Sequence, residues 1–224
     1  MQECGCVVNN KKIYCASQSQ ARHDLLRHAK IPFVVVDIAV NEEDAVVSGT
    51  VQEQVAALAQ YKHTGIQVSL IARRESITQG RLYFVTADTL IAGVTNGKIY
   101  GKPRNRAHAI EMVAQISSQE IIVATGMCLS VWEYDAVRGE WCCVANDTWV
   151  ADARAEFFVP EGEIEQYLDA CPIAMKGCGA TVIDGIGISY FKSIHGSYTG
   201  TLGLDMFGLH TRLVAYGFYA SNEQ

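Results

Sequence analysis

Three short segments of the chain combine residue types that bind phosphate groups or a metal ion. The first is Ser17-Gln18-Ser19-Gln20-Ala21-Arg22, which stands where a strand is expected to end and a helix to begin. Free backbone N–H groups at a helix N-terminus, two hydroxyls and a guanidinium group together form a site for an anion. The alternative is that Ser19 only caps the helix and that Arg22 is solvated.

The second segment, Asp88-Thr89, follows an apolar run at residues 81–86 that is typical of a strand. A carboxylate at the C-terminal end of a strand in an α/β fold stands where ligands bind and can hold a hard metal ion. The alternative is a turn-forming aspartate. The third segment, Gly101-Lys102-Pro103, holds a lysine between residues that restrict the backbone, although most lysines are simply solvated.

The composition limits the classes of protein to which the chain can belong. Its 224 residues are 49% hydrophobic and 19% charged, which indicates one folded domain with its own core. Lysine and arginine number 18 against 24 acidic residues, so the net charge of -6 gives no general attraction to nucleic acid or to an anionic membrane. The apolar stretches are much shorter than the roughly 20 residues of a membrane helix. We expect a soluble, cytoplasmic protein.

The eight cysteines show no pattern of a metal site or of a disulfide scaffold. Cys4 and Cys6 are too close together for a zinc-finger pair, and Cys142 and Cys143 are adjacent. We interpret the cysteines as small buried hydrophobic residues plus an exposed N-terminal pair, in a reducing compartment.

Hydrophobic periodicity and turn residues predict a mixed order of elements. The first half contains a strand at 12–16, a helix at 20–29, a buried strand at 33–38, a helix at 50–63 and a strand at 81–86 that stops at Asp88. The second half contains a hairpin at Asn96-Gly97, a helix at 106–116, strands between 121 and 158 that turn at Arg138-Gly139, a short helix at 160–169 and a closing helix. We expect one domain over residues 1–224, with flexible tails at 1–10 and 220–224.

The three segments and several others resemble, in type and order, the Maf/Ham1-like nucleotide pyrophosphatases. The matching segments are residues 13–43, Leu58-Ala59-x-x-Lys62, Ala87-Asp88-Thr89, Asn96-Gly97, Gly101-Lys102-Pro103, Thr125-Gly126 and Gly196-x-Tyr198 before Leu202-Gly203-Leu204. The resemblance implies a mixed α/β fold with a twisted mixed β-sheet, flanking helices and an active-site cleft between two lobes. It also implies a homodimer.

The resemblance assigns a role to each matching polar residue. Ser17, Ser19 and Arg22 fall on the phosphate-binding positions of the family, and Glu42, Lys62, Asp88 and Lys102 fall on its catalytic positions. Glu42 and Asp88 are the implied ligands of Mg²⁺ or Mn²⁺, with Glu43 and Asp44 as neighbouring alternatives to Glu42. The implied reaction hydrolyses a nucleoside triphosphate to the monophosphate and pyrophosphate, with Asp88 or Glu42 orienting the water or taking its proton.

The departures from the family pattern lie on the side that recognises the base. Gln20 replaces a proline, Ala21 the first arginine, Asp184 a glutamine, Gly200 an asparagine and Asp205 a proline. Relatives with both arginines favour dTTP and UTP, and a sister group with a tryptophan at the first acts on a methylated guanine nucleotide. Because Ala21 leaves more space, we expect Ala21 and Asp184 to select non-standard purines such as XTP, dXTP and ITP. The alternatives are a dTTP/UTP pyrophosphatase and an impaired nucleotide-binding protein.

The terminal sequence Asn222-Glu223-Gln224 permits one further expectation. Cysteine proteases of plant potyvirus-like viruses cut after glutamine, and a few of these viruses encode a Ham1-like protein. Release from a viral polyprotein by a Gln-specific protease is therefore one interpretation, and an ordinary terminus that happens to be glutamine is the other.

Overall fold

A computed structural model describes residues 11–220 of the chain. The strands are β1 (Ile13–Cys15), β2 (Phe33–Val35), β3 (Arg81–Gly93), β4 (Ile99–Tyr100), β5 (Glu120–Asp135), β6 (Glu140–Phe157) and β7 (Phe191–Gly196). The helices are α1 (Gln20–His28), α2 (Val51–Thr64), α3 (Val68–Arg74), α4 (Arg106–Ile116), α5 (Ile164–Ala170), α6 (Tyr198–Thr201) and α7 (Met206–Ala215). The predictions about the two tails, the Cys4 and Cys6 pair and cleavage at Gln224 fall outside the described residues.

The strands of the described region form one mixed sheet in the order β2-β1-β3-β5-β6-β7, with β4 paired to β3. The pairs β2–β1 and β1–β3 are parallel, and the remaining pairs are antiparallel. Parallel neighbours need helical crossovers, which α1 and the α2–α3 pair supply, whereas β5 and β6 are joined by a short turn. The predicted mixed α/β class, with a mixed sheet flanked by helices, is confirmed.

The strand that carries Asp88 is longer than predicted, so the expectation that it stops at Asp88 is wrong. β1 ends where Cys15 pairs with Val85, but β3 continues for eight more residues along β5, and Asp88 pairs with Gly126. The β-branched and apolar residues after Asp88 suit a ladder with β5. Asp88 thus lies inside β3, just beyond the end of its parallel neighbour.

Two other predictions differ from the structure. The apolar run at 33–38 was expected to be a buried strand, but β2 is a three-residue edge strand with partly exposed side chains, because only β1 pairs with it. The helix α3 was not predicted, since it has seven residues and its N-cap, Gln67, makes no side-chain capping bond. It buries Val68 and Ile71 against the sheet.

Most predicted helices and turns are present. α2 begins with a capping box in which the Thr50 hydroxyl accepts from the N–H of Glu53 and the Glu53 carboxylate accepts from the N–H of Thr50. The helix at 106–116, the hairpin at Asn96-Gly97 and the turn at Arg138-Gly139 also lie where they were predicted.

The buried face of α1 differs from the predicted one. The sequence pattern placed Ala21, Leu25, Leu26 and Ala29 against the core. In the structure Leu26 is buried, and its buried companions are Arg22 and His23. These two polar side chains are turned inward because each is hydrogen-bonded, His23 Nε2 to the carbonyl oxygen of Ser17 at 2.7 Å and Arg22 to several groups described below.

Two apolar clusters pack against the sheet and leave a cleft between them. One joins α1 and α7 to the first strands through residues such as Leu26 and Leu209. The other joins α4 and α5 to the opposite end of the sheet through residues such as Ile116 and Tyr167. Between residues 11 and 220, no helix has both the length and the apolar character needed to cross a membrane.

The six described cysteines are free thiols with differing exposure. Cys15, Cys128 and Cys171 are buried, as the interpretation of small hydrophobic residues requires. Cys143 is exposed on β6, next to the register shift between β5 and β6, so that interpretation is wrong for it.

Candidate functional site

A cleft of about 900 Å³ lies between the two clusters and contains every predicted site residue. These residues are Ser17, Ser19, Ala21, Arg22, Glu42, Lys62, Asp88, Lys102 and Asp184. They come from the β1–α1 connection and α1, the segment before α2, the last turn of α2, β3, the loop after β4 and the turns before β7. The fold therefore gathers residues that are far apart in sequence around one space.

Lys62 forms the centre of the charged part of the cleft. Its side chain is 8% exposed, and its Nζ lies 2.5 Å from Oδ1 of Asp88 and 3.0 Å from Oε2 of Glu42. A buried ammonium group is stable only when its charge is matched, and here two carboxylates match it. Removing either carboxylate leaves the ammonium group less well compensated.

The two carboxylates differ in exposure. The Asp88 side chain is 16% exposed, and that of Glu42, in a single turn at Glu42–Asp44, is 52% exposed. Asp88 is held by β3, whereas Glu42 reaches the cleft from a connecting segment. The structure therefore brings together Glu42 and Lys62, two residues to which the resemblance assigned active-site positions.

Asp88 and Glu42 are the carboxylates of the cleft that the resemblance implied as ligands of a magnesium ion. Among residues 11–220 there is no group of three or more His, Cys, Asp or Glu residues that could hold a metal alone. Mg²⁺ usually binds one or two carboxylates and completes its shell with water and substrate phosphate oxygens. Asp88 and Glu42 already share one cation, the Lys62 ammonium group, so they fit that role.

The start of α1 presents unpaired donors to the cleft. The N–H groups of Gln20, Ala21 and Arg22 lie in the first turn and have no partner within the helix. Ser19 is the N-cap residue, but its hydroxyl makes no capping hydrogen bond, so the capping interpretation of this side chain is wrong. The Ser19 hydroxyl is consequently available to a ligand.

Ser17 is oriented by two donors. Its Oγ accepts from the N–H of Ser19 at 3.3 Å and from Nη1 of Arg22 at 2.9 Å. Because the oxygen accepts twice from the protein, its own proton is free to be donated to an anion in the cleft. Together with the first-turn N–H groups, these hydroxyls form a group of donors that is able to bind an anion, and the anion site stays a prediction.

Arg22 is bound mainly to the protein itself. Its Nε donates to the carbonyl oxygen of Gly203 at 2.8 Å, Nη1 donates to Ala87 O at 2.8 Å as well as to Ser17, and Nη2 donates to Thr89 Oγ1 at 3.2 Å. These bonds use four of its five N–H donors. Arg22 therefore connects the walls of the cleft and keeps one donor for a ligand.

Lys102 differs from the other cations of the cleft. It is exposed and, within residues 11–220, forms no hydrogen bond or ion pair. Its loop is held in place because the neighbouring Gly101 carbonyl accepts from the N–H of Gly179 at 2.8 Å. Lys102 is thus a free positive charge on a fixed backbone, as suits a residue that binds phosphate.

Two threonine hydroxyls and a cysteine thiol form a line of hydrogen bonds next to the charged residues, and the sequence pattern assigned no role to it. Thr89 Oγ1 lies 2.8 Å from Thr125 Oγ1, which donates to the carbonyl oxygen of Gly200 at 2.7 Å. The Cys178 thiol donates to Thr89 O at 2.7 Å. Burial, reinforced by the Asp88 carboxylate, raises the pKa of the Cys178 thiol to about 11, so it is neutral. Among the segments quoted for the resemblance, Ala87-Asp88-Thr89 and Thr125-Gly126 contain the two threonines, but neither hydroxyl was given a role.

The far part of the cleft is more apolar and contains the two predicted base-recognition residues. Ala21 is partly buried and Asp184 is exposed, and both line the cleft with Ile173, Val182 and Ile183. An apolar surface with one acceptor-only carboxylate suits a flat nucleobase that presents an N–H group.

Comparison with known proteins agrees with this arrangement. The family described as "Maf-like protein" matches residues 12–215. The chain is 30% identical over 196 residues to "dTTP/UTP pyrophosphatase" of Pectobacterium atrosepticum, covering 87% of this chain and 88% of that protein. It is 31% identical over 197 residues to "Nucleoside triphosphate pyrophosphatase" of Xylella fastidiosa, covering 87% of this chain and 93% of that protein. It is also 30% identical over 210 residues to "dTTP/UTP pyrophosphatase" of Symbiobacterium thermophilum, covering 93% of this chain and 95% of that protein. With a charged cleft built from the segments that the family shares, this chain belongs to the Maf-like protein family.

Proposed function

We propose that the protein is a nucleoside triphosphate pyrophosphatase that releases pyrophosphate and a nucleoside monophosphate. The observation that carries the proposal is the arrangement of Lys62, Asp88 and Glu42 in one cleft with the anion site at the start of α1. The names of the relatives support the same reaction class.

The residues of the cleft divide the chemistry between them. The first-turn N–H groups of α1 and the hydroxyls of Ser17 and Ser19 bind phosphate oxygens, and Lys102 stabilises the charge on the leaving pyrophosphate. Asp88 orients the attacking water and accepts its proton on Oδ2, the oxygen that Lys62 does not hold. A bound Mg²⁺ held by Asp88 and Glu42 would supply polarisation of the α-phosphate.

For the base we propose the pyrimidine triphosphates dTTP and UTP as the main substrates. Two of the relatives described above carry that specificity in their names. The Asp184 carboxylate is able to accept from the N3–H group of thymine or uracil. The pyrimidine triphosphates dTTP and UTP therefore take the place of the non-standard purine nucleotides as the first substrates to test.

A second candidate, XTP, dXTP or ITP, rests on one observation. The cleft is lined by Ala21, a position at which the resemblance described above implies an arginine in the family pattern. A small residue there leaves space for the larger purine ring, and a purine such as hypoxanthine also presents an N–H group to Asp184.

The experiment is a pyrophosphate-release assay with dTTP, UTP, XTP, ITP and a methylated GTP, each with Mg²⁺, with Mn²⁺ and with EDTA. The proposal expects hydrolysis that EDTA abolishes and dTTP or UTP as the faster substrate. If the protein is a binding protein that has lost activity, the nucleotides raise its melting temperature but release no pyrophosphate. That result would overturn the proposal.

Assembly and source stay predictions. The homodimer implied by the family is tested by size-exclusion chromatography with light scattering. Release by a Gln-specific protease is tested by incubating such a protease with an extended chain. The relatives compared above are bacterial, so they give no support to a viral origin.

A further inference from the structure

A histidine next to Lys62 connects the end of α2 to the sheet. His63 Nε2 lies 2.7 Å from Oγ of Ser130 in β5, and its Nδ1 lies 3.4 Å from Oγ1 of Thr86 in β3. Ser130 and Thr86 are buried, with 0% and 1% exposure. The imidazole ring therefore bridges one turn of helix and two neighbouring strands.

The donors around the ring fix its tautomer. The indole N–H of Trp132 donates to Ser130 Oγ at 2.8 Å, which leaves the Ser130 proton available for His63 Nε2. On the other side, Thr86 Oγ1 gives its proton to the carbonyl oxygen of Ala59 at 2.8 Å and accepts from Nδ1–H of His63. The five groups form one directed series of hydrogen bonds from β5 to α2.

This series lies beside the charged centre of the cleft. Thr86 is two residues before Asp88 and projects from the same face of β3, toward α2. Ser130 is four residues after Gly126, the β5 partner of Asp88. The last turn of α2 therefore places Lys62 beside Asp88. The same turn places His63 beside Thr86 and Ser130.

The helix α2 has a second close contact with the sheet, so the orientation of the helix depends on the His63–Ser130 hydrogen bond. At Gly126 the helix backbone is so close that an added Cβ would lie 2.1 Å from the carbonyl oxygen of Val55. Close packing at Gly126 holds the middle of α2, and the His63–Ser130 hydrogen bond holds its end. Two contacts on one helix remove its freedom to rotate over the sheet.

We propose that His63 and Ser130 are positioning residues that direct the Lys62 ammonium group at Asp88. The inference rests on the proposed function and adds to it, because neither residue touches the substrate in that mechanism. A neutral imidazole is required, and burial lowers the pKa of His63 to about 4, which keeps the ring uncharged at neutral pH.

The test compares two buried hydroxyls of equal burial. Ser130→Ala removes the hydroxyl that holds His63. Tyr83→Phe is the matched control, because Tyr83 has 0% exposure and its hydroxyl donates to the carbonyl oxygen of Tyr216 at 2.9 Å, away from α2. His63→Gln is the second variant if Ser130→Ala does not fold. Melting temperature, kcat and KM are measured for each with the best triphosphate.

We expect both hydroxyl deletions to lower the melting temperature, but only Ser130→Ala to lower kcat, by roughly 10-fold or more with KM changed less than about 2-fold. In a Lys62→Ala background, Ser130→Ala should cause no further loss, since it acts through Lys62. Nitrogen NMR of His63 should show the proton on Nδ1.

Each contrary result has a distinct meaning. If the wild type is active and Ser130→Ala has the same kcat as Tyr83→Phe, the positioning role of His63 and Ser130 is wrong and the proposed function stands. The same conclusion follows if the two losses at Lys62 and Ser130 are additive, or if the proton lies on Nε2. If the wild type hydrolyses no triphosphate, the proposed function fails and this role fails with it.

Discussion

Nε of Arg22 donates a hydrogen bond to the carbonyl oxygen of Gly203 at 2.8 Å, although the two residues are 181 positions apart. Gly203 has a φ of +103°, and an added Cβ would lie 3.1 Å from that nitrogen. A side chain at position 203 would therefore be strained and would crowd the guanidinium group. The glycine allows the C-terminal wall of the cleft to approach Arg22.

Arg22→Ala should lower stability as well as activity. It removes four hydrogen bonds from a charged group, several of them to buried acceptors, so we expect the free energy of unfolding to fall by about 2–4 kcal/mol. A lysine at this position has a single ammonium group in place of the planar guanidinium group with its several donors, so Arg22→Lys should restore little of the lost stability. Lys102→Ala, at an exposed site, is the comparison: it should weaken hydrolysis without changing the melting temperature.

Arg22→Ala and Lys102→Ala should each lower the rate of hydrolysis by a similar factor for every nucleoside triphosphate, whichever base it carries. A changed ratio of the rates for two bases would show that these residues contact the base.

Asp88→Asn should nearly abolish turnover while the protein stays folded. The amide cannot take a proton or bind a divalent ion as the carboxylate does, and loss of such a group costs about 10²-fold or more. Pyrophosphate release and the melting temperature are measured together. Asp152→Asn, which changes an exposed β6 carboxylate bonded to Gln52, is the control and should keep the wild-type rate. Near wild-type activity of Asp88→Asn would remove Asp88 from the mechanism.

Ala21→Arg should move base preference toward dTTP and UTP. It restores a donor in the wall of the cleft, and a buried donor that discriminates between bases is worth about 1–3 kcal/mol, or roughly 10-fold in relative kcat/KM. The ratio of kcat/KM for UTP to that for ITP is the measurement. A wild type that already prefers pyrimidines by a wide margin, with no change on adding the arginine, would contradict a role for position 21 in base choice.

The stability of the protein should decrease in mild acid because of His63. Burial lowers its pKa from 6.5 to about 4, so between these values the unfolded chain binds a proton that the folded chain does not. The free energy of unfolding therefore falls as the pH falls through this window, by up to about 3 kcal/mol. Urea unfolding at about pH 7.5 and about pH 5 measures this difference in the free energy of unfolding. The difference should be smaller in His63→Gln. The control is His28→Gln, at an exposed site, in which the difference should stay the same as in the wild type. An unchanged decrease in His63→Gln would show that other groups cause it.

Local signals were sufficient to predict much of the fold. The helix at 106–116, the hairpin at Asn96-Gly97 and the second helix each begin or end at residues with a clear turn or capping preference. The predicted site residues also share one cleft. That result came from the family resemblance, because no local pattern places Lys62 beside Asp88.

Features that depend on tertiary neighbours were not predictable. Whether β3 ends at Asp88 or continues depends on β5, which is distant in sequence. The apolar run at 33–38 looked buried, but β2 is a three-residue strand at the edge of the sheet, where its side chains are less completely covered. Arg22 was read as a phosphate ligand, and its partners at Ala87 and Gly203 become visible only in three dimensions.

The position of Asp88 within β3 has a consequence for how such an enzyme can diversify. The side of the cleft that carries Asp88 and Lys62 rests on a thirteen-residue strand and a fourteen-residue helix, where a substitution disturbs many backbone hydrogen bonds. The opposite side is built from short turns at Pro172–Lys176, Cys178–Ala180 and Gly185–Tyr190, which tolerate change more readily. New substrate ranges can therefore arise by drift in the turns while the hydrolytic chemistry is inherited unchanged.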